Sequence, residues 1–238
     1  IPTELKKKIG EINHIDNNGV VIGKGSNEIF QAIFTASIRS KDTVVSLSPT
    51  FAVYKILAEQ KGAIFIESKL DSNFEIDLSD LLSRSRRAKL TIICNPNSPT
   101  GSLLPLSVIE KVAKQTSGLV VVDEAYVDFS NVTAVGLLSS YTNLIVTRTF
   151  SKAFAMAGFR IGYGLMHNEL ASEIQKCLLP FNVDVPSIIA LNALLESICT
   201  SSIINILYLA CVGLYLEDSI SSLTSSIPVL DAASISNT

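Results

Sequence analysis

Short apolar runs rich in valine and isoleucine punctuate the chain, at residues 44–47, 63–66, 90–94, 119–122 and 144–147. Runs that are apolar on both faces are the pattern of parallel strands covered by helices on each side. Between them, residues 28–39, 51–61, 106–116 and 169–177 carry apolar positions at helical spacing. This alternation predicts an α/β fold: three layers, α/β/α, around a mostly parallel central sheet joined by right-handed crossovers. No internal repeat is visible.

The pattern changes towards the carboxyl end. From 197 to 238 the charged residues are Glu217, Asp218 and Asp231 alone, and serine is abundant. Residues 203–216 are almost wholly apolar. That run is shorter than the ~20 residues a membrane-spanning helix needs, so a buried helix is expected and a membrane span is not. The chain is expected to divide into a large domain over 1–196 and a divergent segment over 197–238.

Composition narrows the function classes. With 47% apolar and 17% charged residues among 238, a sizeable core is expected and disorder is not. A net charge of −3 speaks against a nucleic-acid binder, and the basic clusters at 6–8 and 84–89 read as solvated faces. Cys94, Cys177, Cys199 and Cys211 form no C-x-x-C pair, and His14 and His167 stand far apart, so zinc-site spacing is absent. Scattered thiols and a first stretch without an apolar signal-peptide core make a cytoplasmic protein the expectation.

Polar residues gather where the apolar runs end, which is where open α/β sheets bind ligands. Asp123 ends one run and is followed by Glu124, Ala125 and Tyr126. A buried carboxylate needs a partner, either a helix N-terminus, an arginine or a positively charged ring nitrogen. Lys152 follows another run, between the hydroxyls of Thr149 and Ser151 and the small residues 153–158. Such company predicts a desolvated amine able to condense with an aldehyde, although a lone lysine could equally snorkel to the surface. Arg160 lies eight residues on, and hydroxyls with a guanidinium suit a phosphate. Gly25, Ser26, Asn27 and Glu28 precede a helical stretch, which offers either ordinary capping or an anion site of free N–H groups. Residues 95–101, with two prolines and Gly101, form a rigid turn that includes Asn97 and Ser98. Phe51 could stack on a flat ring or belong to the core.

These segments, in this order, resemble the fold-type I pyridoxal-phosphate (PLP) aminotransferases, and within that group the histidinol-phosphate aminotransferases. The resemblance runs over residues 2–196 and is most specific at 95–101, 123–126 and 148–162. It implies that Lys152 holds the cofactor as an imine and shuttles the substrate proton. It implies that Asp123 pairs with the ring nitrogen, Tyr126 and Asn97 contact the ring oxygen, and Phe51 stacks on the ring. Ser26, Asn27 and Glu28 (by backbone N–H), with Thr149, Ser151 and Arg160, would hold the phosphate. Ser98 stands where relatives commonly carry Asn, which leaves the ring-oxygen contact open between Asn97 and Ser98. No small domain is recognisable near the end, so that domain is expected to be incomplete or divergent.

The implied activity is ping-pong amino transfer between a small-molecule amino donor and a 2-oxo acid, with histidinol phosphate and 2-oxoglutarate as the pair. A homodimer is implied by the resemblance alone. Two other readings stay open: a PLP lyase such as a threonine-phosphate decarboxylase, and a truncated, catalytically silent relative.

Overall fold

A computed structural model of the chain describes residues 3–199. The elements in chain order are α1 (Thr3–Asn13), β1 (Val20–Gly23), α2 (Ser26–Ser37), β2 (Thr43–Ser48), α3 (Val53–Gln60), β3 (Ile64–Lys69) and α4 (Leu78–Ser85). There follow β4 (Leu90–Cys94), α5 (Leu106–Gln115), β5 (Leu119–Asp123), β6 (Leu144–Thr149), β7 (Gly162–Met166), α6 (Asn168–Gln175) and α7 (Val185–Cys199). The seven strands form one sheet in the order β1-β7-β6-β5-β4-β2-β3, and β7 alone runs against the rest. The mostly parallel sheet expected from the apolar runs is therefore present.

Alternation along each strand feeds two separate cores. In β5, Val120 and Val122 face one layer while Val121 faces the other; in β6, Leu144 and Val146 oppose Ile145 in the same way. Leu5 of α1, Leu81 of α4, Ile109 and Val112 of α5 and Leu191 of α7 pack on the first face. Ile29, Phe30 and Ile33 of α2, Tyr54 and Leu57 of α3, and Ile174 of α6 pack on the second. Each fully buried aliphatic contributes roughly 1.5–3 kcal/mol, so neither layer is dispensable.

Two strands and three helices went unread in the sequence. β1 is only four residues long, and β7 carries Gly162 and Gly164, which dilute its apolar signal. α1 and α4 have negative mean hydropathy, with few buried positions each. α7 is apolar nearly all round, which hides a 3.6-residue period. This last helix crosses residues 196–197, so the boundary expected there falls inside an element. The rest of the 197–238 segment, with its apolar run at 203–216, lies outside the described residues. No described helix is long and apolar enough to cross a membrane.

Candidate active site

Strand register builds the floor of a cleft. Cys94, Asp123 and Thr147 are Cα partners across β4, β5 and β6, so the Asp123 carboxylate emerges between a thiol and a hydroxyl. Asp123 is 2% exposed, and both its oxygens are hydrogen-bonded. Its Oδ2 accepts from the Tyr54 hydroxyl at 2.6 Å, and its Oδ1 accepts from Thr147 Oγ1 at 3.1 Å and the Ala125 N–H at 3.2 Å. Burial pushes the carboxyl above its ordinary value, and these three donors pull it back. Cys94 is pushed up to about 12 by burial and by the Asp123 charge, so it remains a thiol and is no nucleophile.

The same logic of register assembles an anion pocket. Gly23, Gly162 and Thr149 align across β1, β7 and β6, which brings three chain turns together. Helix α2 starts at Ser26 with Gly25 as its cap and no side chain covering its first N–H groups. Gly25 has φ +77°, and a Cβ there would lie 2.8 Å from Arg160 Nη2. A Cβ on Gly162 would collide with the Ser26 nitrogen. The two glycines thus let helix start, strand and guanidinium converge. Arg160 Nη1 donates to Ser151 Oγ at 3.4 Å and to the Ala157 carbonyl at 3.0 Å, and Thr149 Oγ1 donates to Ser151 Oγ at 3.0 Å.

Nine of the predicted residues line this one cleft, of about 160 Å³: Ser26, Asn27, Phe51, Asp123, Tyr126, Thr149, Ser151, Lys152 and Arg160. Two do not. The Asn97 amide is 3% exposed and ties its turn to residues 49 and 50, donating to the Pro49 carbonyl at 3.0 Å and Thr100 Oγ1 at 2.8 Å, and accepting from Thr50 Oγ1 at 2.7 Å. Ser98 lines the cleft in its place. The role expected of Glu28 is through its backbone N–H, which stays in the uncapped first turn of α2, while its carboxylate turns back to accept from the Lys24 N–H at 2.6 Å and Asn182 Nδ2 at 2.8 Å.

Lys152 also departs from expectation. It is exposed at the mouth of the cleft, its Nζ 5.2 Å from the centre of the Tyr126 ring. The small residues that follow form a surface turn, in which Ala155 and Gly158 are exposed, so they do not bury the amine. Phe51 is half-exposed and meets Tyr54 edge-on, with centroids 5.6 Å apart.

Sequence reasoning missed the support beneath the floor. Glu124 is buried and ion-paired with Arg148, 2.8 Å from Nη2, and accepts from Thr133 Oγ1 and the Ala134 N–H. Arg148 Nη1 donates onward to Asn13 Oδ1 at 2.7 Å, tying α1 to the cleft. Burial raises the Glu124 carboxyl and the Arg148 charge opposes that. Tyr54 and Thr147 were equally silent, because a tyrosine in a helix and a threonine in a strand carry no local signature. Among the described residues no group of three His, Cys, Asp or Glu could hold a metal ion.

The family model for aminotransferases of class I and II matches residues 2–213. The chain belongs to that family. This class I and II aminotransferase chain is 40% identical over 199 residues to the histidinol-phosphate aminotransferase of Gloeobacter violaceus, covering 82% of itself and 56% of that protein. The chain spans about half the length of the curated relatives it matches. Among solved structures, the histidinol-phosphate aminotransferase of Clostridium acetobutylicum superposes with a TM-score of 0.77 at 28% identity, over 86% of this chain and 61% of that one. The Sinorhizobium meliloti histidinol-phosphate aminotransferase, solved in complex with pyridoxal-5'-phosphate, shares the fold with a TM-score of 0.75 at 23% identity, over 87% of this chain and 57% of that one.

Proposed function

We propose that this chain carries the cofactor site of a PLP-dependent aminotransferase that moves the amino group of histidinol phosphate to 2-oxoglutarate by a ping-pong route. The observation that carries the reading is the convergence, in one cleft, of an amine, a buried carboxylate and an anion pocket. That donor set fits pyridoxal phosphate. A cradle that a Cβ on Gly25 or Gly162 would fill suits its phosphate, and the buried Asp123 suits its ring nitrogen. When bound, the cofactor supplies an electron-withdrawing ring that stabilises charge on the substrate carbon beside the amine.

The chain's own residues do the rest. The N–H groups at the start of α2, with Ser151, Thr149 and Arg160, bind the phosphate. Asp123 would hold a proton on the ring nitrogen, Phe51 would supply an apolar face, and Tyr126 and Ser98, which line the same cleft, would serve the ring oxygen. Lys152 would hold the cofactor through Nζ, and its free amine, at the cleft mouth beside Tyr126, would move the proton of the substrate carbon. The neighbours' names support histidinol phosphate as donor. The reading includes a homodimer in the cytoplasm; exposed Leu179, Phe181 and Val185 beyond the cleft support a covered surface.

The test mixes the purified chain with PLP, reduces with borohydride and maps the modified peptide. An adduct on Lys152 is expected, and adducts spread over other lysines overturn the assignment. Glutamate formed from histidinol phosphate and 2-oxoglutarate then identifies the reaction. Carbon dioxide released from threonine phosphate would assign the site to a decarboxylase instead.

A further inference from the structure

We propose that Tyr54 is a positioning residue that fixes the Asp123 carboxylate in orientation and charge, and thereby sets how firmly the site holds a proton on a ring nitrogen. The inference deepens the PLP reading and rests on it.

Geometry carries the argument. Tyr54 sits in the first turn of α3, wholly buried, and its hydroxyl meets Asp123 Oδ2 at 2.6 Å, the shortest of the three hydrogen bonds to that carboxylate. Charge-assisted bonds of this length are about twice as strong as neutral ones. The other two donors, Thr147 and the Ala125 N–H, both serve Oδ1. Tyr54 is therefore the described partner that orients Oδ2. The phenol also bridges core and cleft: the core residue Phe30 packs on its ring at 5.1 Å between centroids, and Phe51 of the cleft stands edge-on at 5.6 Å. One side chain thus couples the ring-stacking residue to the ring-nitrogen partner.

The titratable groups around Asp123 make the donor necessary. Tyr54 faces it from α3, Cys94 from β4 and Glu124 from the end of its own strand, with Lys152 across the cleft mouth. Cys94 remains a neutral thiol, and Glu124 opposes a second negative charge. Without the Tyr54 hydroxyl the buried carboxyl would hold its own proton to higher pH, and a neutral acid cannot pair with a protonated ring nitrogen. Burial and the Asp123 charge hold the phenol well above its ordinary value, so it stays a donor.

The test compares Tyr54→Phe with the unaltered full chain, using two probes: PLP and its 1-deaza analogue, which lacks the ring nitrogen. Loss of about tenfold in PLP affinity is expected, with the deaza analogue changed less than about twofold. The pH at which the cofactor's visible band titrates should move upwards, because a less positive ring withdraws less charge. Site-specific trifluorotyrosine at 54, which keeps the ring shape and strengthens the donor, should move that pH downwards. Equal loss of both probes, or no shift in the band with either substitution, overturns the role of Tyr54 and leaves the PLP reading standing. Failure of the unaltered chain to load PLP on Lys152 overturns both.

Discussion

The floor and the rim of the cleft are built on opposite terms. On the floor, Asp123 is buried, and both its oxygens are hydrogen-bonded to residues held by strand register or by the first turn of α3. On the rim, Lys152 is exposed in a turn and Phe51 is half-exposed. A charge partner benefits from a fixed position, because preorganised dipoles need no rearrangement when the ligand arrives. On the proposed reading Lys152 attaches and releases its ligand in every cycle, which benefits from room to move. The comparison teaches that Asp123 and Lys152 are held by different neighbours, so each can be altered separately, while Tyr54 ties Phe51 of the rim to the floor.

Lys152→Ala gives the largest contrast. Removing the amine is expected to abolish the borohydride-fixed adduct and to lower amino transfer by about 10²–10⁴-fold. Because the residue is exposed, stability in urea should change by less than about 0.5 kcal/mol. A large stability loss in this variant would mean that the rim is part of the core after all.

Arg148→Ala attacks the floor from below. It leaves Glu124 buried beside Ala134 without its cation and removes one of the partners of Asn13. Breaking such a pair costs about 3–5 kcal/mol, to be read from urea denaturation of the cofactor-free chain. The borohydride-fixed adduct should still form on Lys152 at temperatures where the variant is folded. Loss of the adduct from a folded variant would show the two poles to be coupled.

Asn97→Ala and Ser98→Ala sharpen the division within a single turn. Asn97 makes three side-chain hydrogen bonds, one within the turn and two to residues 49 and 50, so truncation should destabilise by about 1–3 kcal/mol and leave PLP affinity within about twofold. Ser98 lines the cleft, so its truncation should weaken PLP by about 1 kcal/mol or less and hardly alter stability. Equilibrium binding and denaturation of the two variants check both halves, and the reverse pattern would return the ring-oxygen contact to Asn97.

What the sequence disclosed follows the same line. The apolar runs marked five of seven strands, and the polar residues at their ends marked most of the cleft, because both signals are local. Tyr54, Thr147 and Arg148 act through partners 69, 24 and 24 positions away in sequence, so only the folded register displays them. Asn97 is turned from the cleft for the same reason: two of its three side-chain partners, Pro49 and Thr50, lie 48 and 47 positions away and hold the amide. The small residues after Lys152 suggested burial, but small size also suits a tight surface turn, and sequence does not separate the two.

The smallest effect expected is a slope. Folded Asp123 keeps its proton to higher pH than the unfolded chain does, chiefly because of burial. Between those two values the folded state binds more protons, so this group's contribution to stability is full below the ordinary value of 3.8 and is lost as pH rises through the raised one. Asp123→Asn removes that titration. The substitution also has a pH-independent cost, because its amide nitrogen would face either the Tyr54 hydroxyl or the Ala125 N–H, and the latter is a donor that cannot accept. The offset between the two proteins is therefore uninformative, while its change with pH is specific to the carboxyl. Denaturation of the cofactor-free proteins at steps upwards from pH 4 should show the stability of the unaltered chain falling relative to the Asn variant. A difference that stays constant across that range would mean that the floor stabilises the charged carboxylate as well as water does, and the contrast between a dry floor and a wet rim would fail.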